Sequence, residues 1–116
     1  MEPAGEPDEE LLTLLDDENV RTILIETRDN SQSVETLSER CGVDDSTVYR
    51  LVDDLQDRDL LVDHQELDPD GHHYKTYSAR LERVEIDFTN SGVNIAVDRR
   101  EPPADRFTRL YEEFTG

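Results

Sequence analysis

The chain has 116 residues, enough for one domain with a small appendage, and its 34% hydrophobic content supports a modest core but no large active site. It carries 30 acidic against 12 basic residues, a net charge of −18, and Lys75 is the single lysine beside eleven arginines. The lone cysteine, Cys41, excludes an intrachain disulfide and a thiolate zinc cluster, and no apolar run approaches the roughly 18–20 residues that cross a bilayer.

Met1 to Pro7, with two prolines and a glycine, shows no apolar period and reads as an N-terminal arm. The opening M-E-P-A-G-E-P-D-E-E lacks the basic and apolar regions of a signal peptide, so a cytoplasmic protein is expected. From Asp8 the run D-E-E-L-L-T-L-L-D-D puts acids at a helix start and Leu11, Leu12, Leu14 and Leu15 on its buried face. A second helix, about Glu18 to Arg28, buries Val20, Ile23, Leu24 and Thr27, while Ile25 leans the other way toward a subunit contact. Asp29 to Ser33 reads as a polar loop in which Ser33 or Ser31 caps the next helix.

Ser33 to Arg58 is the stretch around which the rest is organised. Val34 and Leu37 fall three apart, Gly42 suits the left-handed position that ends a helix, and Asp44 suits an N-cap for a second helix. In that second helix Val48, Leu51, Val52 and Leu55 keep the spacing of three and four. The pair is a helix-turn-helix signature, with Ser46, Thr47, Tyr49 and Arg50 left over in the turns that meet base edges. The bland reading is an αα-hairpin whose polar face is only solvated.

A strand over Asp59 to Leu67, a turn at Asp68-Pro69-Asp70-Gly71 and a returning strand over His72 to Leu81 follow. A helix-turn-helix joined to such a hairpin is a winged helix, and His72, His73 and Lys75 would be the wing's phosphate contacts. Their bland reading is an exposed turn with neutral histidines. A metal reading, using His64, His72, His73 and Asp68 or Asp70, lacks helical i, i+4 spacing and cysteine partners, so no metal or cofactor is assigned. Val84 to Phe88 and Val93 to Val97 alternate strictly across Thr89-Asn90-Ser91-Gly92, which predicts a second hairpin with one apolar face. Pro102-Pro103 leads into a last helix over Ala104 to Phe114. There Phe107, Leu110, Tyr111 and Phe114 form a stripe that packs on the second hairpin or pairs with its copy in a homodimer, and the homodimer is the preferred reading.

The expected architecture is α+β: a winged helix-turn-helix with an added β-hairpin and a C-terminal helix. Residues 1–7 are the arm, 8–81 the DNA-binding domain and 82–116 the dimerisation element. The run from Leu37 to Leu61, with G-V-D-D-S-T-V-Y-R-L-V-D-D-L and R-D-L-L, resembles the winged-helix transcriptional regulators loosely grouped as ArsR-like. The wing D-P-D-G-H-H-Y-K-T-Y and the later A-D-R-F-T-R-L-Y look like small haloarchaeal members of that group. The likeness covers about Asp8 to Leu81 and implies a sequence-specific regulator of double-stranded DNA. Its recognition helix would span about 44–58 and its wing about 67–75. The family's metal sensors carry a cysteine pair in the recognition region; here only Cys41 stands near it, so metal-responsive derepression is not implied.

The acidity argues against phosphate binding at ordinary ionic strength. Acids are scattered through every segment and lysine is nearly absent, a pattern resembling proteins of salt-loving archaea, and at molar salt the Debye length falls to about 3 Å. No Gly-rich phosphate loop, G-x-S-x-G elbow or H-E-x-x-H occurs, so an enzyme is not expected. The competing function is an acidic, protein-binding adaptor of the transcription machinery that does not touch DNA.

Overall fold

The computed structural model describes residues 5–101. Four helices, α1 (Gly5–Asp16), α2 (Glu18–Glu26), α3 (Val34–Cys41) and α4 (Asp45–Asp57), are joined by five strands. The strands are β1 (Gln32–Ser33), β2 (Leu61–Leu67), β3 (His73–Ala79), β4 (Leu81–Thr89) and β5 (Gly92–Arg99). They make two antiparallel sheets, ordered β1-β3-β2 and β4-β5, so the described chain is α+β.

Helix α1 begins at Gly5, inside the stretch read as an arm. Pro7 does not prevent this, because the first four N–H groups of a helix have no intrahelical acceptor and a proline there loses no bond. Leu11 is buried and Leu14 and Leu15 half-buried, but Leu12 points outward, so the leucine face is narrower than its four residues suggest. Asp17 caps α2 by accepting the N–H of Asn19 at 2.8 Å. Val20 and Ile23 turn inward, and Thr27 beyond the helix end is buried with its hydroxyl donating to the Ile23 carbonyl at 2.7 Å. Ile25 is 70% exposed.

The supposed loop before α3 contains β1, in which Gln32 and Ser33 pair with Tyr77 and Thr76. A strand of two residues has no period to read; the β3 edge beside it imposes the pairing. Ser33 has a second task, its hydroxyl accepting the Thr36 N–H at 3.2 Å as the N-cap of α3. Gly42 ends α3 at φ 72°, with its N–H donating to the Ser38 carbonyl at 2.9 Å. Asp44 then caps α4 through the Thr47 N–H at 3.0 Å. Val34, Leu37, Val48, Leu51, Val52 and Leu55 meet Leu11, Val20 and Ile23 from the first two helices, and Leu60, Leu61 and Tyr77 close the core.

The strand after α4 starts at Leu61, not Asp59. Asp59 instead adopts φ 60°, a left-handed conformation that aspartate tolerates better than most residues, and the Leu60 N–H returns to the Leu55 carbonyl at 3.0 Å. Arg80 grips both Asp59 carboxylate oxygens at 2.9 and 2.8 Å. Arg80 is also the single residue between β3 and β4, so the chain passes from one sheet to the other with no loop. The second hairpin has the expected turn, with Thr89 opposite Gly92. The last expected helix, with Phe107, Leu110, Tyr111 and Phe114, lies outside the described residues.

Candidate nucleic-acid interface

The first turns of α4 present Ser46, Tyr49 and Arg50 to solvent, with Thr47 half-buried behind them. This follows from the cap and the period: Asp44 fixes where the helix begins, and Val48, Leu51 and Val52 commit the opposite side to the core. The Ser46 hydroxyl lies 3.3 Å from the Asp44 carboxylate, to which it donates. That carboxyl is held below the usual carboxylate range by hydrogen bonds from Thr47, the side chain foremost and then the backbone.

Between α4 and the β2-β3 hairpin runs a groove of about 610 Å³, lined among others by Glu35, Asp45, Tyr49, Tyr74, Lys75 and Tyr77. His73 also lines it. Three of the chain's four tyrosines therefore face one groove, with Tyr49 and Tyr74 exposed and Tyr77 buried. Burial raises the Tyr77 phenol above its ordinary range, with Tyr49, Asp63 and Asp53 adding to the effect, so it stays a neutral hydrogen-bonding group. Tyr74 and Tyr77 carry no periodic signal that distinguishes them from ordinary strand residues. The hint in the sequence is only the spacing Y-x-x-Y beside the turn.

The turn of the hairpin is built by Asp68. Its backbone N–H donates to the His72 carbonyl at 2.9 Å, and its side chain accepts the N–H groups of Asp70 and His72 at 2.9 and 2.8 Å. Gly71 completes the turn at φ 88°. Of the three wing residues named from sequence, His73 and Lys75 both line the groove. His72 leans on Asp68, with Nδ1 3.7 Å from the carboxylate, whereas His73 enters the groove. Lys75 reaches back to Asp63 at 3.6 Å. Of the metal candidates, Asp68, Asp70 and His72 approach one another at the exposed turn, while His64 is drawn away to the Ser78 hydroxyl at 3.1 Å. Cys41 stands apart: burial lifts its thiol, Asp17 and Glu26 lift it further, and it lies 3.7 Å from the Asn19 carbonyl.

The other arginines among the described residues are committed to holding the fold. Arg21 donates to the last carbonyls of α1, Arg40 faces Glu26, and Arg58 joins Glu10. Arg28 and Arg100 share Glu82, Arg80 and Arg99 converge on Asp59, and Arg83 faces Asp98. Among the described residues Arg50 alone, exposed on α4, has neither an ion pair nor a hydrogen bond from its guanidinium. A second, larger groove of about 730 Å³ lies between α1 and α4, but Glu9, Glu10, Asp54 and Asp57 line it, and such a surface repels phosphate.

No protein-family model matches the chain, and no curated protein matches it.

Proposed function

We propose that the chain is a winged-helix regulator that binds double-stranded DNA in sequence-specific fashion at high salt. The order α2, β1, α3, α4, β2, β3, with α1 before it and β3 paired to both β1 and β2, supports this reading, in which α4 would enter the major groove and residues 67–75 would be the wing on the backbone or minor groove. The observation that carries the reading is Arg50. Among the described residues the other arginines and Lys75 have partners, while the Arg50 guanidinium has none there and stands exposed on α4 with Ser46 and Tyr49. A bidentate contact from it to guanine is the commonest specific base contact.

The same inventory limits how binding works. Lys75 must leave Asp63 to reach a phosphate, and Asp45, Asp53 and Asp54 lie on α4 itself. Affinity then rests on few phosphates, on the hydroxyls of Ser46 and Thr47, and on tyrosines packing against sugars. A second copy of the chain would add a second half-site, and the exposed apolar Ile25 and Leu12 offer it a surface. The acids of α4 also favour a second reading, an adaptor that meets a basic protein surface and leaves DNA alone.

Selection from random duplex DNA in molar KCl, followed by an anisotropy titration on the enriched sequence, separates the two. The regulator reading expects a defined sequence whose log K falls with log[salt] at a slope of about −1 to −2, since each phosphate contact contributes about −0.9. Arg50→Ala should weaken specific binding by about 1–3 kcal/mol with the melting temperature unchanged. Lys75→Ala should weaken all sequences alike. No enrichment at any salt from about 0.1 to 3 M would leave the adaptor.

A further inference from the structure

The β4-β5 hairpin is the one sheet of the described chain that no third strand completes. β4 and β5 pair only with each other, and among the described residues no backbone group outside the hairpin bonds to either outer edge. The register sets Val84 opposite Val97, Ile86 opposite Ile95 and Phe88 opposite Val93, so these six side chains share one side of the ribbon. Toward the base, Ile95 and Val97 pack against the core cluster, and β5 lies beside α1. Toward the turn, Phe88 is 83% exposed, Ile86 43% and Val93 41%. A two-stranded hairpin by itself is marginal in water, and three or more strands with an apolar face are what stabilise a sheet.

Charge separates the two edges. β4 carries Glu82, Arg83, Glu85 and Asp87 along its length, and charges on an edge strand are how natural sheets refuse a further strand. β5 carries none from Gly92 to Val97. Phe88 to Val97 is a run of ten residues without a charged side chain, and no other such run in the chain, with histidine counted as neutral, is longer than five. At a net charge of −18 this decides where a second copy can approach. Molar salt shortens the Debye length to about 3 Å, but acids directly opposite each other across a strand pair still repel. β5 is the free edge along which two copies align without setting acid against acid.

We infer that the β5 edge pairs with β5 of a second copy, antiparallel and centred on Ile95. This register sets Ile95 opposite the partner's Ile95, Val93 opposite the partner's Val97 and Asn94 opposite the partner's Ala96, while Asp98 meets only the partner's Gly92. Two marginal hairpins become one four-stranded sheet. Because directly opposed residues point to the same face, both apolar faces lie on one side of it. The symmetry also shelters the exposed tips. Each Val93, with Phe88 next to it on β4, comes alongside the partner's Val97, at the level where the partner's hairpin packs against its own core. The apolar residues that one copy leaves bare are thus brought beside the body of the other, in an isologous interface. The seam does not depend on whether the protein binds DNA.

Disulfide trapping reads the register. Asn94 and Ala96 are exposed, so cysteines there, in a Cys41→Ser background, leave the core untouched. When Asn94→Cys protein is mixed with Ala96→Cys protein, the seam brings the two Cα atoms to about 5 Å, within disulfide reach. Two copies of either variant alone hold theirs roughly 8 Å apart, from about 5 Å across the strands and 7 Å along them, which is beyond that reach. Oxidation in molar KCl should therefore give a product of dimer mass from the mixture and about tenfold less from each variant by itself. Equal yields from mixed and single variants, or no product while a maleimide labels both thiols, would overturn the seam. Light scattering on the unmodified protein in the same buffer should give twice the chain mass, and a monomer there would overturn the proposal whatever the variants do.

Discussion

The two hairpins look alike in outline and differ in what holds them. Strands β2 and β3 alternate poorly in sequence, yet Leu61, Thr76, Tyr77, Ser78 and Ala79 are buried, because β3 is paired on both sides and its end lies against the helices. Strands β4 and β5 alternate strictly, yet no residue of either is fully buried. Alternation records which face is apolar, whereas burial depends on what the rest of the chain places over that face. The first hairpin is part of the core; the second is clipped to it.

That contrast can be broken most severely at the core. Leu55, fully buried on α4 beneath the first sheet, should lose about 2–5 kcal/mol of unfolding free energy on Leu55→Ala. Ile86→Ala on the second hairpin removes a side chain already 43% exposed and should cost under about 1.5 kcal/mol. Urea melts in molar KCl measure both, and comparable losses would mean that the second hairpin is as tightly integrated as the first.

The clip itself is the next target. Arg99 donates to the carbonyls of Arg58 and Asp59, both at 2.8 Å, so a side chain of β5 satisfies the exposed end of α4. Arg80 reaches the carboxylate of the same Asp59. Because Arg99 is about a third exposed, solvent weakens these bonds, and Arg99→Ala should cost roughly 1 kcal/mol. Hydrogen exchange should show the loss in β4 and β5, with β2 and β3 unchanged. Equal acceleration in both hairpins would show that they open as one unit.

Much of this architecture was legible because local chemistry and burial agreed. Gly42, Asp44 and the apolar period from Val48 to Leu55 point to a turn, a cap and a buried face, and each is found where the residues place it. Strand β1 was not legible, since two residues fix no period and their pairing comes from Thr76 and Tyr77 more than forty residues away. The α1 start was masked by Pro7, which forbids a helix interior but not a first turn. The candidate interface divided in the same way. Tyr49 and Arg50 follow from helix period alone, whereas the pairing of Lys75 with Asp63 and of His72 with Asp68 depends on which acids the hairpin brings near. In a chain so rich in Asp and Glu, a cation's partner cannot be read from its neighbours.

The smallest effect expected concerns the cap that positions α4. Hydrogen bonds from Thr47 lower the Asp44 carboxyl below its ordinary value, so the folded state prefers the ionised form more strongly than the unfolded chain does. The sign follows: the stability this contributes is complete above the unfolded carboxylate range and disappears as pH falls through the lower, folded value. Asparagine caps helices about as well without titrating. The melting temperature of Asp44→Asn relative to the parent should therefore rise as pH falls from about 5 toward 3, across the ordinary aspartate value. Taking the difference between the two proteins at fixed molar KCl cancels the protonation of the other acids. A difference that stays flat over this range would mean that Asp44 is not ion-stabilised in the fold, and the start of α4, with the placement of Ser46, Tyr49 and Arg50, would have to be held by the core alone.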